Sequence, residues 1–252
     1  MPGDALPSWV WLEELPEPGH SVTLGDEDAH HVTRVCRARV GEPLTLTDGR
    51  GAVARARLIH ASPRAVVEVE SLARNARTAE ATVMCGSPEG DRGDWLVEKL
   101  AELGIAAFQP VDCERAPWKR SATRVARWRR LAVAALRQSR RSHLLEVSDP
   151  EPLEQALDRL AGGEARWVAD PRGPAAAEVR PPAGRCVGMI GPGSGLSDRE
   201  QTALADLGFG RMHLADCVLR SETAAMAWAA WWAGGGSRPN HGGSAGSPKS
   251  VS

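Results

Sequence analysis

The sequence predicts a two-unit α/β protein, a small β-barrel followed by a sheet layered with helices. Three observations carry that expectation. Short β-branched runs separated by turn residues fill the amino-terminal part, to about residue 72. Later, strand-like runs alternate with helical periodicity. Between them, residues 73–80 (ARNARTAE) follow neither pattern and read as a linker. The expected division is therefore 1–72, 73–233 and a tail over 234–252, which Gly, Ser and Pro dominate and which is expected to be disordered.

In the first unit, Pro43–Asp48 (PLTLTD) alternates. Asp48–Gly49 then supplies a hairpin turn into a strand over Ala52–His60, and Ala65–Val69 is a further strand. In the second unit, Ala81–Cys85 is a strand. Asp94–Leu103 is a helix with Leu96, Leu100 and Leu103 on one face and Gly104 as its stop. Ala106–Val111 is a strand, Ser121–Arg141 a long helix, and Pro150 opens a helix to about Leu160. Arg166–Ala169 and Cys186–Ile190 are buried-strand candidates. Ser197 and Glu200 form a capping box for a helix ending near Gly208. A short apolar strand is expected at Leu214–Leu219. The last helix, Glu222–Ala233, is apolar nearly all round, with Trp228, Trp231 and Trp232 clustered. Such a helix belongs in a core or a subunit interface, so a homodimer that buries it is expected.

Composition bounds the function. The formal net charge of −1 excludes a uniformly basic nucleic-acid binder but not a local basic face. No apolar run reaches the ~20 residues of a membrane span, and the start lacks a signal-peptide pattern. Five scattered cysteines without a C-x-x-C pair argue for reduced, mostly buried thiols in a cytoplasmic protein, with no metal site.

Three constellations stand out. Ile190–Leu196 (IGPGSGL) joins a strand to a capped helix, as a glycine-rich ligand loop or a tight connection. It is neither a dinucleotide fingerprint nor a P-loop. Leu214–Ala225 (LADCVLRSETAA) brings Arg220, Ser221, Glu222 and Thr223 to the mouth of a buried helix. Residues 115–141 hold ten basic side chains and no acid. At about 100° per residue, Val125, Trp128, Ala132, Ala135 and Leu136 share an apolar arc opposite most of the arginines. A solvated face normally mixes signs, so an acid-free one points to a polyanion. His30, His31, Asp170 and His213 are weaker candidates, and spacing alone builds no catalytic triad.

These segments resemble the RsmE family, 16S ribosomal RNA uridine-N3 methyltransferases of the SPOUT superfamily. His30–Gly41 (HHVTRVCRARVG) is similar to an HHxxxVxRxxxG stretch. Glu98–Arg115 resembles EKxxELG…P…ER, and Gln138, Ser139 and Arg141 match QSxR. IGPGSGLSDRE and LADCVLRSETAA are similar to GPEGGxSxxE and LxxxxLRxETA, in the same order. The resemblance implies a PUA-like β-barrel before a trefoil-knotted SPOUT α/β domain that binds S-adenosylmethionine and acts as a homodimer on 16S ribosomal RNA or the small ribosomal subunit. Carried over position by position, it places the cofactor at Gly191, Pro192, Gly193, Gly195, Leu214, Leu219, Arg220 and Thr223. The catalytic pair would be Arg220 and Glu222. The basic segment then offers Arg115, Lys119, Arg120, Arg124, Arg127 and Arg141 to RNA.

One position departs from the family pattern: Gly193 stands where the acid of GPEGG is expected, and Ser194 where a glycine is. Backbone contacts survive that change, whereas a carboxylate's contribution does not. Uracil N3 must lose a proton before it can accept a methyl group. Arg220 would favour the anionic base, and Glu222 would orient Arg220. Two other readings stay open, a SPOUT enzyme that methylates a ribose 2′-hydroxyl and a non-catalytic RNA-binding relative.

Overall fold

The computed structural model describes residues 8–77, 79–88, 92–118 and 121–235. The first unit is built from β1 (Ser8–Trp11), β2 (Ser21–Thr23), α1 (Asp26–His30), β3 (Pro43–Thr47), β4 (Ala52–His60) and β5 (Val66–Arg74). A π-helical turn, His31–Val35, follows α1. The sheet order is β1-β3-β4-β5-β2, so the expected barrel is an open half-barrel with β1 and β2 as edges. Neither edge strand was legible, because each is only three or four residues long and pairs far along the chain. Alternate residues of β4 (Ala54, Ala56, Leu58) face a core shared with Val10, Leu44, Leu46, Val67 and Val69.

The second unit contains β6 (Glu80–Cys85), α2 (Gly93–Leu103), β7 (Ala107–Asp112), α3 (Ala122–Ser139), β8 (Glu146–Val147), β9 (Glu151–Pro152), α4 (Leu153–Asp158), β10 (Ala165–Ala169), β11 (Arg185–Ile190), α5 (Asp198–Asp206), β12 (Gly210–Met212) and α6 (Ser221–Gly235). Its sheet runs β12-β10-β11-β6-β7-β8, every pairing parallel, with β9 also on β7. Both faces are covered, as a parallel sheet requires. Val83, Cys85, Cys186 and Ile190 face α2, α3 and α6. Met84, Val187 and Met189, one residue out of phase, face α4 and α5.

The second unit departs from the sequence reading in four places. β5 continues to Arg74 and β6 starts at Glu80, so the joining segment is shorter than 73–80. Glu151–Pro152 pairs with Val111–Asp112, and α4 therefore starts at Leu153 and not at Pro150. The strand expected at 214–219 is a loop; the strand lies earlier, at β12, where backbone pairing with β10 fixes it. The last helix does not need a partner to be buried. Trp228 is fully enclosed and Trp232 nearly so, inside the chain's own core.

The reason is a close approach across the sheet. A Cβ on Gly188 of β11 would lie 2.3 Å from the Trp228 ring, so only glycine lets α6 settle there. Trp231 packs at 5.9 Å from Trp228 and donates its Nε1–H to Val179 O at 2.8 Å. α6 also extends to Gly235, two residues into the expected tail, whose remaining residues lie outside the described ones. Of the cysteines, Cys85, Cys113 and Cys186 are buried, whereas Cys36 and Cys217 are exposed. Among the described residues, no helix is long and apolar enough to cross a membrane.

The expected apolar arc of α3 is correct: Val125, Trp128, Ala132, Ala135 and Leu136 are its buried residues. Ser121 caps it by accepting from Arg124 N. Trp128 forms an edge-on triangle with Phe108 and Trp118, which pins α3 to β7 and to the loop beyond it.

Candidate active site

Parallel strands place all their carboxyl ends on one edge, and the loops leaving that edge form a crevice. The loops after β10, β11 and β12 enclose a cleft of about 470 Å³. Its walls are Val168–Arg172, the 190–196 segment, Gln201 and Leu204 of α5, Phe209 and Arg211–Leu219. Six expected cofactor residues line it: Gly191, Pro192, Gly193, Gly195, Leu214 and Leu219. Gly195 has φ +76, a conformation glycine adopts without strain, and its N–H donates to Pro192 O at 2.8 Å, closing the turn.

The neighbouring loops stitch this turn in place. Glu200 completes the capping box by accepting from Ser197 N at 2.7 Å, and its other oxygen accepts from Glu114 N at 2.9 Å. Arg115, expected to meet RNA, donates to Ser194 O at 3.3 Å and so lies over the glycine loop. Cys113 sits behind it; burial and the Glu200 carboxylate push its thiol up to about 12, which leaves it unreactive. Ser221 Oγ donates to Gly191 O at 3.0 Å and joins the start of α6 to the same turn.

One end of the cleft is polar. Asp170, at the end of β10, accepts from Arg172 Nε and Nη2 at 2.9 and 2.7 Å, with Arg211 Nε at 3.4 Å. The hydrogen bonds and charge of Arg172, aided by Arg211, hold the Asp170 carboxyl below its usual range. Arg172 also donates to Gln201 Oε1 at 2.7 Å. Asp170 and His213, placed second in the sequence reading, thus lie on the cleft wall, where parallel strands β10 and β12 end. Arg172, Gln201 and Arg211 were missed; their only sequence signal is position just past β10, on the helix that follows the glycine loop, and within the three-residue β12.

Of the two residues expected to be catalytic, Glu222 has a partner that the sequence reading did not offer. Glu222 is buried in the first turn of α6, and its carboxylate is ion-paired with Arg92 Nη1 at the entrance to α2, where Arg220 had been expected. No periodicity signals Arg92, since the pairing spans 130 residues. Arg220 is exposed at the loop's end, and neither it nor the half-buried Thr223 is in the cleft lining.

The basic segment is less free of acid in the fold than along the chain. Arg127 is paired with Asp94 Oδ2 at 2.5 Å, while Asp94 Oδ1 accepts from Trp128 Nε1 at 2.8 Å. Arg129 pairs with Asp149 at 3.3 Å and Arg137 with Asp28 at 2.6 Å. The acids absent from the segment are supplied by other elements. Arg124 is half-buried in the first turn of α3. Arg141 turns inward instead of lying on a solvent face. Lys119 and Arg120 lie outside the described residues.

A cleft of this size is in the usual range for a small-molecule site. Apolar walls at Leu196, Phe209, Leu214 and Leu219, exposed loop backbone and a polar end fit a ligand with a flat ring and charged groups, as S-adenosylmethionine has.

A PUA-type half-barrel followed by an α/β unit with a strand-end cleft defines an RNA-methyltransferase class of protein. The family model for an RNA methyltransferase domain matches residues 75–233, and that for an RNA methyltransferase PUA domain matches 24–70. A solved structure of the ribosomal RNA small subunit methyltransferase E from Neisseria gonorrhoeae, bound to S-adenosyl methionine, superposes with a TM-score of 0.80. It is 31% identical, and the match covers 89% of this chain and 96% of that one. The Mycobacterium bovis protein of the same name is 29% identical over 232 residues, 85% of this chain and 87% of its own. That of Synechocystis is 29% identical over 212 residues, 81% of this chain and 70% of its own. The chain belongs to the ribosomal RNA small subunit methyltransferase E family.

Proposed function

We propose that this protein methylates N3 of one uridine in 16S ribosomal RNA with S-adenosylmethionine as donor, acting as a homodimer on the small ribosomal subunit. The carrying observation is the strand-end cleft, whose glycine loop and 214–219 loop are the two segments that match the family motifs. S-adenosylmethionine supplies an electrophilic methyl group on a sulfonium. The chain's work is then alignment and charge.

Gly191, Pro192, Gly193 and Gly195 offer backbone to the cofactor, and Leu214 and Leu219 offer apolar walls. Asp170, Arg172 and Gln201 close the polar end as one hydrogen-bonded group. Arg220, exposed at the cleft's mouth, is the cation that favours the N3-deprotonated base. Glu222 acts from behind: buried and paired with Arg92, it fixes the start of α6 and hence the position of Arg220. Arg115, Arg124 and Arg127, with Lys119 and Arg120, meet RNA phosphates. The trefoil knot belongs to this reading through the family resemblance, and the Ser221–Gly191 bond, which ties the start of α6 to the glycine loop, is compatible with it. The division at 1–72 and 73–233 is taken as the functional one, with the barrel-like unit as an RNA-holding arm.

One observation favours a second reading, retained RNA and cofactor binding without turnover: the exposed Gly193 replaces the family's acid. The test incubates the protein with S-adenosylmethionine and small subunits from cells lacking the modification, followed by mass spectrometry of nucleosides. 3-Methyluridine is expected. A 2′-O-methylated nucleoside would overturn the base assignment. Cofactor binding with no product, restored by Gly193→Glu, would establish the second reading. Light scattering at twice the monomer mass checks the homodimer.

A further inference from the structure

The carboxyl end of α3 holds a guanidinium with no counter-charge among the described residues. Arg140 caps the helix in the left-handed region (φ 55), which turns Arg141 back against the end of α2. There its guanidinium lies flat on Gly104: a Cβ on that residue would be 2.1–2.2 Å from Arg141 Cζ, Nη1 and Nη2. Arg141 Nε is buried without a hydrogen-bond partner, and among the described residues no carboxylate pairs with the side chain. A guanidinium half withdrawn from water, with Nε enclosed and no acid beside it, is destabilised, so its presence needs a reason.

The charged group that acts on it, Arg77, has the same sign. Arg77, from the segment joining the two sheets, donates to Leu144 O at 3.4 Å and lowers the pKa of Arg141, after burial itself. His143 stands beside both; burial, then Arg77 and Arg141, push its pKa down, against smaller opposing effects of Asp48 and Glu80. Neither acid answers the cluster. The Asp48 carboxylate is engaged by Arg50 N at 2.7 Å, Ala52 N at 3.0 Å and the Arg50 guanidinium, and Glu80 is exposed to solvent.

The cluster lies where the two units meet. Gly51 N donates to Ser142 O and Leu144 N to Gly49 O, both at 2.8 Å, so the β3–β4 turn sits against residues 142–144. Exposed Arg74, at the end of β5, and Arg140, at the end of α3, carry the same sign outward on either side.

We propose that Arg77, Arg141 and His143 form a phosphate clamp at the seam between the two units, closed by a backbone phosphodiester of the RNA substrate. Planar guanidinium forks pair with phosphate oxygens, and the anion supplies the missing counter-charge. A single RNA strand seated here touches both units at once, which fixes their relation while the base enters the cleft. This rests on the RNA-substrate reading above. Inorganic phosphate shares the chemistry, but the arginines flanking the clamp fit a strand that continues past it.

The test uses the full chain and 16S ribosomal RNA transcribed in vitro, with binding measured without S-adenosylmethionine. Arg141→Met is expected to weaken RNA binding about tenfold and to flatten the log affinity–log salt slope by about 0.7 for each phosphate no longer engaged. Its melting temperature should stay level or rise, because an unpaired buried charge has gone. Arg77→Met should weaken RNA binding in the same direction. RNA should raise the His143 titration midpoint followed by NMR, and inorganic phosphate at equal phosphate concentration should not. A lower melting temperature with unchanged RNA affinity would make Arg141 a structural residue and overturn the clamp. An equal His143 shift with inorganic phosphate would reduce it to a small-anion site. Wild-type RNA binding that Arg141→Met weakens, without methylation, refutes the enzyme reading and leaves the clamp standing. Methylation unaffected by Arg141→Met, with RNA affinity also unchanged, does the reverse.

Discussion

The strand-end cleft and the arginine-rich helix α3 both stood out in the sequence, yet they differ in how much the fold rewrote them. The cleft kept its residues: six of the expected cofactor positions line one cavity. The helix kept its apolar arc but lost much of its free charge, because Asp94, Asp149 and Asp28 arrive from other elements to pair Arg127, Arg129 and Arg137. A glycine turn between a strand and a capped helix is specified locally. A charged face is defined by whatever folds against it, and that is never local.

The largest expected effect tests the seat of α6 on β11, behind the strand that leads into the cleft. Gly188→Val drives a branched side chain into the Trp228 ring and should cost at least about 3 kcal/mol in chemical denaturation. A tolerated valine would mean that α6 packs elsewhere, and the contrast between a rigid cleft and a tolerant helix face would fail.

Next is the pair behind the site. Arg92→Met leaves the Glu222 carboxylate buried and alone, at a cost of about 2–3 kcal/mol, moderated because Arg92 is itself half-exposed. Glu222→Gln should cost less, since no buried charge is left behind. Equal losses for the two variants would refute the buried-charge account.

Arg220→Ala should slow single-turnover methyl transfer at least ~10-fold, about 1.4 kcal/mol, in a protein that stays folded. A near-normal rate would remove Arg220 from the reaction.

The helix face provides a finer comparison. Arg130 is exposed, whereas Arg127 is already held by Asp94. Arg130→Gln should therefore flatten the salt dependence of RNA binding by about 0.7, and Arg127→Gln by less. The opposite order would show that the Asp94 pair opens when RNA binds.

The smallest effects are pH-linked. The Asp170 and His143 pKa values are both lowered on folding. Each thus contributes stability that is complete above its ordinary value, 3.8 and 6.5 respectively, and is lost as pH falls through the lower folded value. Asp170→Asn should flatten the acid end of a stability–pH curve, and His143→Gln the part just below 6.5. Curves unchanged by either substitution would contradict those environments.

Much of this was legible because it is encoded within a few residues. The Ser197–Glu200 box, the Gly104 stop and the i, i+3, i+4 arc of α3 each depend on neighbours along one helix. The glycine loop was legible for the same reason, as a turn between a strand and its cap. The short edge strands β1 and β2 were not, since only pairing with β3 and β5 makes them strands. Nor was the 214–219 loop, whose apolar residues face a cleft that exists only once β10, β11 and β12 lie side by side.

By itself the sequence determined the two-unit α/β architecture, the helix ends, the glycine turn and the motifs of the family, all of them properties of contiguous backbone and side-chain period. Tertiary structure alone decided that Glu222 answers to Arg92, that Asp170 closes the cleft and that α6 is buried within one chain. It alone also left Arg141 Nε without a partner among the described residues. Ion pairing and burial depend on distance in space, and folding brings together residues as far apart as Arg92 and Glu222, separations that no local pattern records.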